Sequence, residues 1–314
     1  MNLDTDGQPA TVKDLTADDF KARLRSDGLG LRIGPFHAHI RADVHGLDKS
    51  LFKMYRDYPL LNGDQVFNFH VSLSERRRSI FNAKRLVRFT VDGRSPHEDM
   101  PAQQALAVLE WGMNMVIVFR SHCFVMLHSA VIARSNQAML LPAWPGHGKT
   151  TLCVAMVHRG WRLLSDEFGL LRPRTGKLIP VPRPMPLKNE SIQVIRDFAH
   201  DAELGPTIPN TRKGTIAHVI PPTESIQNAR QAATVRWIIF PRWIENEPLS
   251  IQEISRAEGH MLLANNSFNY ELLGELSFHA VRDVVSSARC FRLVYSNLDD
   301  AVTALTNLAD ETSV

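Results

Sequence analysis

The segment from Ala138 to His158 constrains the fold more than any other part of the chain. Residues 138–142 read as a buried strand and run directly into Ala143-Trp-Pro-Gly-His-Gly-Lys-Thr150, which an apolar helical stretch follows. These eight residues fit the pattern [AG]xxxxGK[ST] of a phosphate-binding loop, in the strand–loop–helix context that such a loop requires. The sequence therefore predicts an α/β domain that binds a nucleotide.

Each residue type in this loop has a physical role. Gly146 and Gly148 can adopt positive φ, which turns successive backbone N–H groups toward phosphate oxygens. The helix that begins near Lys149 adds unpaired N–H groups and the positive end of its dipole. Lys149 is expected to reach the β- and γ-phosphates, and the Thr150 hydroxyl can bind Mg²⁺.

An acidic pair, Asp166-Glu167, follows Thr150 by 16 and 17 residues. One helix, a turn at Gly160 and one strand, 161–165, fill the interval, so the pair is expected to lie beside the loop. A carboxylate there can bind Mg²⁺, and a second can accept a proton from an attacking hydroxyl. A polar turn is the alternative interpretation.

The remaining sequence divides into two parts. Three alternating segments in the first hundred residues predict strands: 31–41, 66–72 and 85–91. Prolines and polar residues cluster at 95–101, which marks a boundary. From Cys123 onward strands alternate with helices, as in α/β domains. We therefore expect an amino-terminal α+β unit, residues 1–100, and a second domain, residues 101–314.

Composition excludes several classes of protein. The 314 residues carry 36 Lys and Arg against 33 Asp and Glu, so a net charge of +3 does not favour a nucleic-acid binder. No stretch approaches the ~18 apolar residues of a membrane span, and residues 1–13 lack the apolar segment of a secretory signal. Three cysteines without a CxxC pair favour neither a disulfide framework nor structural zinc. We expect a cytoplasmic protein without a nucleic-acid or membrane partner.

Three segments together resemble the signature of the HPr kinase/phosphorylase family: Met126-Leu-His128, the loop Gly146-His-Gly-Lys-Thr150, and Arg159-Gly-Trp-Arg-Leu-Leu-Ser-Asp-Glu167. The family pattern is a His, then GxSGxGKS, then RGHRLVADD. The specific part of the match covers residues 123–168, and most of the chain resembles the branch called HPr-kinase-related kinase A. The resemblance implies an α/β, HPr kinase-like (phosphoenolpyruvate carboxykinase-like) P-loop kinase domain after the α+β unit.

The resemblance also implies ATP and Mg²⁺ as cofactors. The residues that it assigns to ATP binding are Pro145, Gly146, His147, Gly148, Lys149, Thr150 and Thr151. Thr150 stands where the family has Ser, which is a mild change.

The same carry-over implies catalytic roles for Glu167, Asp166, His128 and Lys149. Glu167 stands on the proton-accepting second Asp of the family, with its carboxylate one methylene further out. Asp166 stands on the first Asp, and His128 on the active-site His. The metal ligands implied are Thr150, Asp166 and Glu190. Glu190 is a candidate because the later metal-binding Glu of the family has no clean counterpart here.

The expected function is therefore the transfer of the γ-phosphoryl group of ATP to a hydroxyl, with a Ser of a small protein or peptide as the favoured acceptor. A kinase for a small-molecule hydroxyl and a nucleotide-sensing module without transfer activity are the alternatives. A homo-oligomer is compatible with the sequence, which does not set the assembly state.

Two cationic segments have alternative interpretations. The stretch Arg76–Arg94 carries seven Lys and Arg residues against one acid within it, Asp92. It is either a docking surface for an acidic partner or a solvated face. Arg212-Lys213-Gly214 either supplies a cation to the transferring phosphoryl group or forms a surface turn.

Overall fold

Three β-sheets and the helices that cover them form a mixed α/β structure in the residues that the computed structural model describes, 10–61, 65–79 and 82–311. No helix in these ranges is both long and apolar enough to cross a bilayer. The three cysteines, Cys123, Cys153 and Cys290, are all free.

The amino-terminal elements build a six-stranded sheet with helices against it. In chain order these elements are α1 (Ala17–Arg25), β1 (Leu29–Ile33), β2 (Phe36–Asp43), α2 (Leu47–Met54), β3 (Leu60–Leu61), β4 (Phe69–Ser79), β5 (Asn82–Val91), β6 (Met100–Pro101) and α3 (Ala105–Arg120). The strand order is β3-β1-β2-β4-β5-β6, in which only β2 and β4 pair in parallel. The predicted strand 31–41 is in fact a hairpin, because Gly34 turns the chain at φ +58° between β1 and β2.

The apolar core of this sheet continues across the boundary predicted at residue 100. Leu109 of α3 and Phe89 of β5 belong to one buried cluster, which also includes Phe168 and Leu170 from the second half of the chain. α3 approaches β5 so closely that a Cβ atom on Gly112 would lie 2.3 Å from the Phe89 ring. α3 therefore packs on the amino-terminal sheet and joins it to the rest of the molecule.

A buried polar network also joins the two halves. Arg183 donates a hydrogen bond of 2.6 Å to Glu110 on α3, and Tyr55 donates one of 2.7 Å to the other oxygen of the same carboxylate. Because Arg183 and Glu110 are both nearly inaccessible to solvent, removal of either partner would leave a buried charge unpaired, which is strongly destabilising.

The second half contains the two other sheets. Its elements are β7 (Val125–Leu127), β8 (Ser129–Arg134), β9 (Gln137–Pro142), α4 (Lys149–Val157), β10 (Arg162–Ser165), β11 (Gly169–Arg172), β12 (Lys177–Ile179), β13 (Met185–Lys188), α5 (Glu190–Phe198), β14 (Ile208–Thr211), β15 (Gly214–Val219), α6 (Thr223–Gln227), β16 (Ala233–Trp243), β17 (Ser250–Glu253), α7 (Arg256–Asn265), α8 (Tyr270–Leu273), α9 (Glu275–Ser287), β18 (Arg289–Tyr295) and α10 (Leu298–Glu311). A nine-stranded sheet contains β7 to β12 and β16 to β18, and β13-β15-β14 form a small sheet.

The central strand β9 places the loop that follows it. β9 pairs antiparallel with β8 and parallel with β16, which in turn pairs parallel with β18. Residues Ala138 to Leu141 are completely buried, as expected of a strand covered on both faces. Since the carboxyl ends of parallel strands meet at one edge of a sheet, the last residues of β16 and β18 lie beside the loop after β9.

The elements predicted around the loop are confirmed, with small changes in their ends. The helix after the loop ends at Val157, and the strand before the acidic pair begins at Arg162. The last helix, α10, is capped at its amino terminus, since the Asp300 N–H donates a 3.1 Å hydrogen bond to the Asn297 side chain.

Candidate active site

The loop between β9 and α4 has the conformation that its glycines predict. Gly146 and Gly148 have φ of +89° and +82°, and Gly148 caps the amino terminus of α4. The backbone N–H of Trp243 donates a 3.1 Å hydrogen bond to the carbonyl of His147, and the Tyr295 hydroxyl donates one of 3.2 Å to that of Gly148. The ends of β16 and β18 thus hold the loop in place.

Lys149 and Asp166 lie together beneath the loop. The Lys149 ammonium donates a hydrogen bond to the backbone carbonyl of Asp166 and lies 4.0 Å from Oδ1 of its carboxylate. Both side chains are buried, with exposed fractions of 9% and 2%. The loop helix and the end of β10 therefore bring the predicted phosphate-binding lysine and the first acid into contact.

The Asp166 carboxylate is buried without a hydrogen-bond partner for either oxygen among the described residues. Burial raises the pKa of Asp166, and the charge of Glu167 raises it further, whereas the charge of Lys149 lowers it. The Thr150 hydroxyl also lowers this pKa, although it makes no well-aligned hydrogen bond to the carboxylate. A buried carboxylate that accepts no hydrogen bond, beside a hydroxyl, is a site to which a cation can bind.

Glu167 is half-buried and has a different electrostatic environment. Burial acts to raise the pKa of Glu167, but the charges of Lys149, Lys188 and Lys213 outweigh it and hold the pKa below its ordinary value. The carboxylate is therefore ionised at neutral pH. Adjacent acids thus have their pKa values shifted in opposite directions by their surroundings.

His128 lies between β7 and β8, where its backbone N–H donates a hydrogen bond to the carbonyl of Asn266. The centre of its ring is 5.3 Å from that of Phe268. Burial, and after it the charge of Lys149, lowers the pKa of His128 to about 4. The imidazole is therefore neutral at physiological pH.

One cavity of about 640 Å³ brings most of the predicted site residues together. Its lining consists of His128, Trp144, Pro145, Gly146, Gly148, Lys149, Thr150, Thr151, Glu167, Pro186, Lys188, Asn189, Ser191 and Lys213. The Trp144 side chain is 56% exposed, so it lies in solvent at the loop instead of packing in a core. His128 and Glu167, which follow the ends of β7 and β10, thus face the same space as the loop.

Glu190 lies apart from this cavity. It is the first residue of α5, is exposed, and lines a neighbouring cavity that also borders Gly146 and Gly148. In the described part of the chain no three His, Cys, Asp or Glu side chains are grouped so that they alone could hold a metal. Glu190 as a metal ligand stays a prediction, whereas Thr150 and Asp166 lie close together.

The turn between β13 and α5 contributes residues to the cavity that the sequence analysis missed. Asn189, at φ +51°, pairs with Thr215 through its backbone N–H and its side-chain oxygen, at 2.9 and 3.0 Å. The Ser191 hydroxyl lies 2.8 Å from the backbone nitrogen of Lys188 and donates to its carbonyl. These bonds fix the base of Lys188. The sequence feature that could have revealed these residues is the pair Lys188-Asn189 directly before an amphipathic helix.

Of the two cationic segments, one reaches the cavity. Lys213 lines it, with its ammonium 5.5 Å from the centre of the Trp111 ring. In the stretch Arg76–Arg94, Arg85 forms an ion pair with Glu75 and Arg88 one of 2.7 Å with Asp99. The side chains of Arg77, Arg78 and Lys84 are outside the described residues.

Comparisons with known proteins leave the function to be inferred from this geometry. No protein-family model matches the chain, and no curated protein gives a significant sequence match. Among solved structures, the chain is similar to the HPr(Ser) kinase/phosphatase from Coxiella burnetii, with a TM-score of 0.30 and 12% identity over 60% of this chain and 99% of that one. A TM-score of this size carries no argument about activity, and the family suggested by the motifs stays a prediction.

Proposed function

We propose that the protein is a kinase that transfers the γ-phosphoryl group of ATP to the hydroxyl of a Ser in a protein or peptide. The observation that carries the proposal is the shared cavity in which the loop, Lys149 and the Glu167 carboxylate meet. Phosphoryl transfer is catalysed mostly by positioning and electrostatic stabilisation, and these groups are of the kinds that it needs.

The loop and the lysines would bind the phosphates. The positive φ of Gly146 and Gly148 opens the loop toward a ligand, and the amino terminus of α4 adds the N–H groups of its first turn. The charges of Lys149, Lys188 and Lys213 all act on Glu167, so the cavity concentrates positive charge where the γ-phosphate would lie.

Thr150 and Asp166 fit the needs of a magnesium ion. Mg²⁺ favours oxygen ligands and is commonly held by one or two carboxylates together with substrate phosphates. The buried oxygens of Asp166, which accept no hydrogen bond in the described part of the chain, provide such a ligand, and the Thr150 hydroxyl is close to them. Mg²⁺ bound there would neutralise negative charge on the β- and γ-phosphates.

Glu167 would accept the proton of the attacking Ser hydroxyl. It lines the cavity, is ionised at neutral pH, and follows the end of β10 by two residues. His128 would remain neutral and donate or accept a hydrogen bond in the same cavity, which favours a positioning role.

Transfer of labelled phosphate tests the proposal. Wild-type protein and the Glu167→Gln variant would be incubated with γ-labelled ATP, Mg²⁺ and an array of Ser-containing peptides, with ADP release measured in parallel. We expect labelled phosphoserine with the wild type and a loss of about 10²–10⁴-fold with the variant.

Two other outcomes would contradict the proposal and support the alternatives. ADP release driven by a pool of small hydroxyl compounds but by no peptide would indicate a small-molecule kinase. ATP binding without ADP release with any acceptor would indicate a nucleotide sensor.

A further inference from the structure

We infer that a second cavity, of about 620 Å³, receives the ribose and base of the nucleotide. Its lining consists of Gly146, Gly148, Thr151, Glu190, Ser191, Val194, Asp197, Phe198, Trp243, Tyr295, Ser296, Asn297, Leu298 and Asp299. The inference rests on the proposed function, since it assumes that phosphates bind the loop, and it assigns the other half of the same ligand.

The two cavities border the same loop. Gly146, Gly148, Thr151 and Ser191 line both of them. Lys149, Thr150 and Glu167 line only the cavity described above. A polyphosphate chain whose reactive end lies beside Glu167 would therefore cross the loop near Thr151 and carry its other end into the second cavity.

The charges of the two linings differ in sign. Three lysines line the first cavity. The lining of the second contains no Lys, Arg or His and has three acids, Glu190, Asp197 and Asp299. Arg159 forms an ion pair of 3.7 Å with Asp299, so Glu190 and Asp197 carry the negative charge of this lining. An anionic phosphate is disfavoured beside them, whereas the hydroxyls of a ribose and the amino group of a base can donate hydrogen bonds to carboxylates.

Exposed apolar side chains complete the second cavity. Val194 on α5 is 44% exposed and Trp243 at the end of β16 is 46% exposed. Phe198 lies on the same helix, and the Arg159 guanidinium covers its ring at 4.2 Å. Apolar and aromatic walls with a few polar groups are the usual surroundings of a bound base. The cavity therefore matches a nucleoside in polarity.

Strand pairing and hydrogen bonds hold the part of the second cavity that β16 and β18 form. Trp243 and Tyr295 are paired residues of the parallel strands β16 and β18. The indole N–H of Trp243 donates a 3.1 Å hydrogen bond to the carbonyl of Ser296, and the Trp243 backbone N–H holds the loop at His147. The same residues thus fix the loop and form the second cavity, so a nucleoside there would be held in a fixed relation to the phosphates.

Calorimetry with two ligands distinguishes the contribution of the nucleoside to the binding affinity from that of the phosphates. Binding of Mg-ATP and of Mg-tripolyphosphate, which lacks the nucleoside, would be measured on full-length wild type, Trp243→Ala, Trp243→Phe and Val194→Asn. Met261→Ala, which removes an exposed apolar side chain of α7 that lines neither cavity, is the control. We expect Trp243→Ala and Val194→Asn to weaken ATP at least tenfold and tripolyphosphate less than twofold. Trp243→Phe should recover most of the affinity for ATP.

The outcomes distinguish this inference from the proposed function. If Trp243→Ala and Val194→Asn both leave ATP affinity unchanged while the wild type binds both ligands, the nucleoside lies elsewhere and only this inference is wrong. An equal loss of both ligands in Val194→Asn would likewise overturn it. If the wild type binds neither ligand, the proposed function itself is contradicted.

Discussion

The ammonium of Lys149 donates a hydrogen bond to the backbone carbonyl of Asp166 and lies 4.0 Å from the carboxylate of the same residue. The lysine of the loop and the first acid after β10 are therefore one buried unit. Because phosphate oxygens would compete with this carbonyl for the ammonium, nucleotide binding is expected to be coupled to the position of the acidic pair.

Asp166→Asn should weaken the use of Mg²⁺. The amide keeps the size of the side chain but loses the charge that its buried oxygens offer to a cation. We expect the Mg²⁺ concentration for half-maximal ADP release to rise by about tenfold or more, in the range found when a charged interaction is lost. A Mg²⁺ titration measures it, with Asp18→Asn, an exposed residue of α1 that lines neither cavity, as the control. The same titration curve for wild type and Asp166→Asn would exclude Asp166 as a ligand.

Glu167→Gln should lower transfer while ATP binding is kept. The lysines around this residue hold the pKa of Glu167 below its ordinary value, so its carboxylate is ionised throughout the neutral range. We therefore expect no decrease in kcat/KM from protonation of this group near neutral pH. A decrease in kcat/KM near pH 6 that is present in the wild type and absent in Glu167→Gln would show that the pKa of Glu167 is raised, which would contradict this account.

His128→Asn should change the pH dependence of stability. Because the pKa of His128 is lowered to about 4 in the folded chain, the unfolded chain binds more protons between that value and about 6.5. His128 thus makes the wild type lose stability as the pH falls through this window. Urea unfolding at several pH values should show a smaller loss in His128→Asn. An identical slope for both proteins would mean that the ring is not buried.

At neutral pH the same variant tests the role of His128. If the neutral ring only fills space, His128→Asn should lower the melting temperature, and the folded fraction should keep normal turnover. We expect the reverse: a lower kcat at saturating ATP with little change in melting temperature. Measurements of kcat and of KM for ATP, together with thermal unfolding of the same samples, distinguish a ring that acts in transfer from one that only fills space.

Gly148→Ala should destabilise the protein more than Gly146→Ala. Both residues have positive φ, for which a side chain costs about 1–2 kcal/mol. Around Gly146 a Cβ atom meets nothing within 4 Å, whereas on Gly148 it would lie 2.5 Å from the Tyr295 hydroxyl and 2.9 Å from the Cβ of Trp243. Urea unfolding measures how much each variant lowers the free energy of unfolding. Equal losses would show that β16 and β18 do not brace the loop.

The sequence predicted the parts of the site that depend on local order. The strand, loop and helix around Gly148 follow from glycine conformation and apolar patterning, and the short interval to Asp166 leaves room for only one strand. His128 faces the same cavity because it sits at the junction of β7 and β8. Each of these features depends on residues close together in the chain.

Contacts between distant segments could not be predicted. Lys188 reaches the cavity through the small sheet β13-β15-β14, and Trp243 and Tyr295 reach the loop because β16 and β18 pair in parallel. Strand partners far apart in the chain leave no local signal. The packing of α3 on the amino-terminal sheet, on the other side of the expected boundary, has a similar origin, since an apolar helix does not specify which of two sheets it covers.

Calorimetric titration of Mg-ATP into the full-length wild type and Lys149→Ala tests the central claim most directly. Hydrogen bonds to charged groups contribute about 1.5–3 kcal/mol, so the variant should bind ATP about ten- to a hundredfold more weakly. The variant is expected to remain folded, because burial raises the pKa of Asp166 and lets the carboxyl become neutral once the lysine is gone. Equal affinity in a folded Lys149→Ala variant, or no binding to the wild type, would contradict nucleotide binding at this loop.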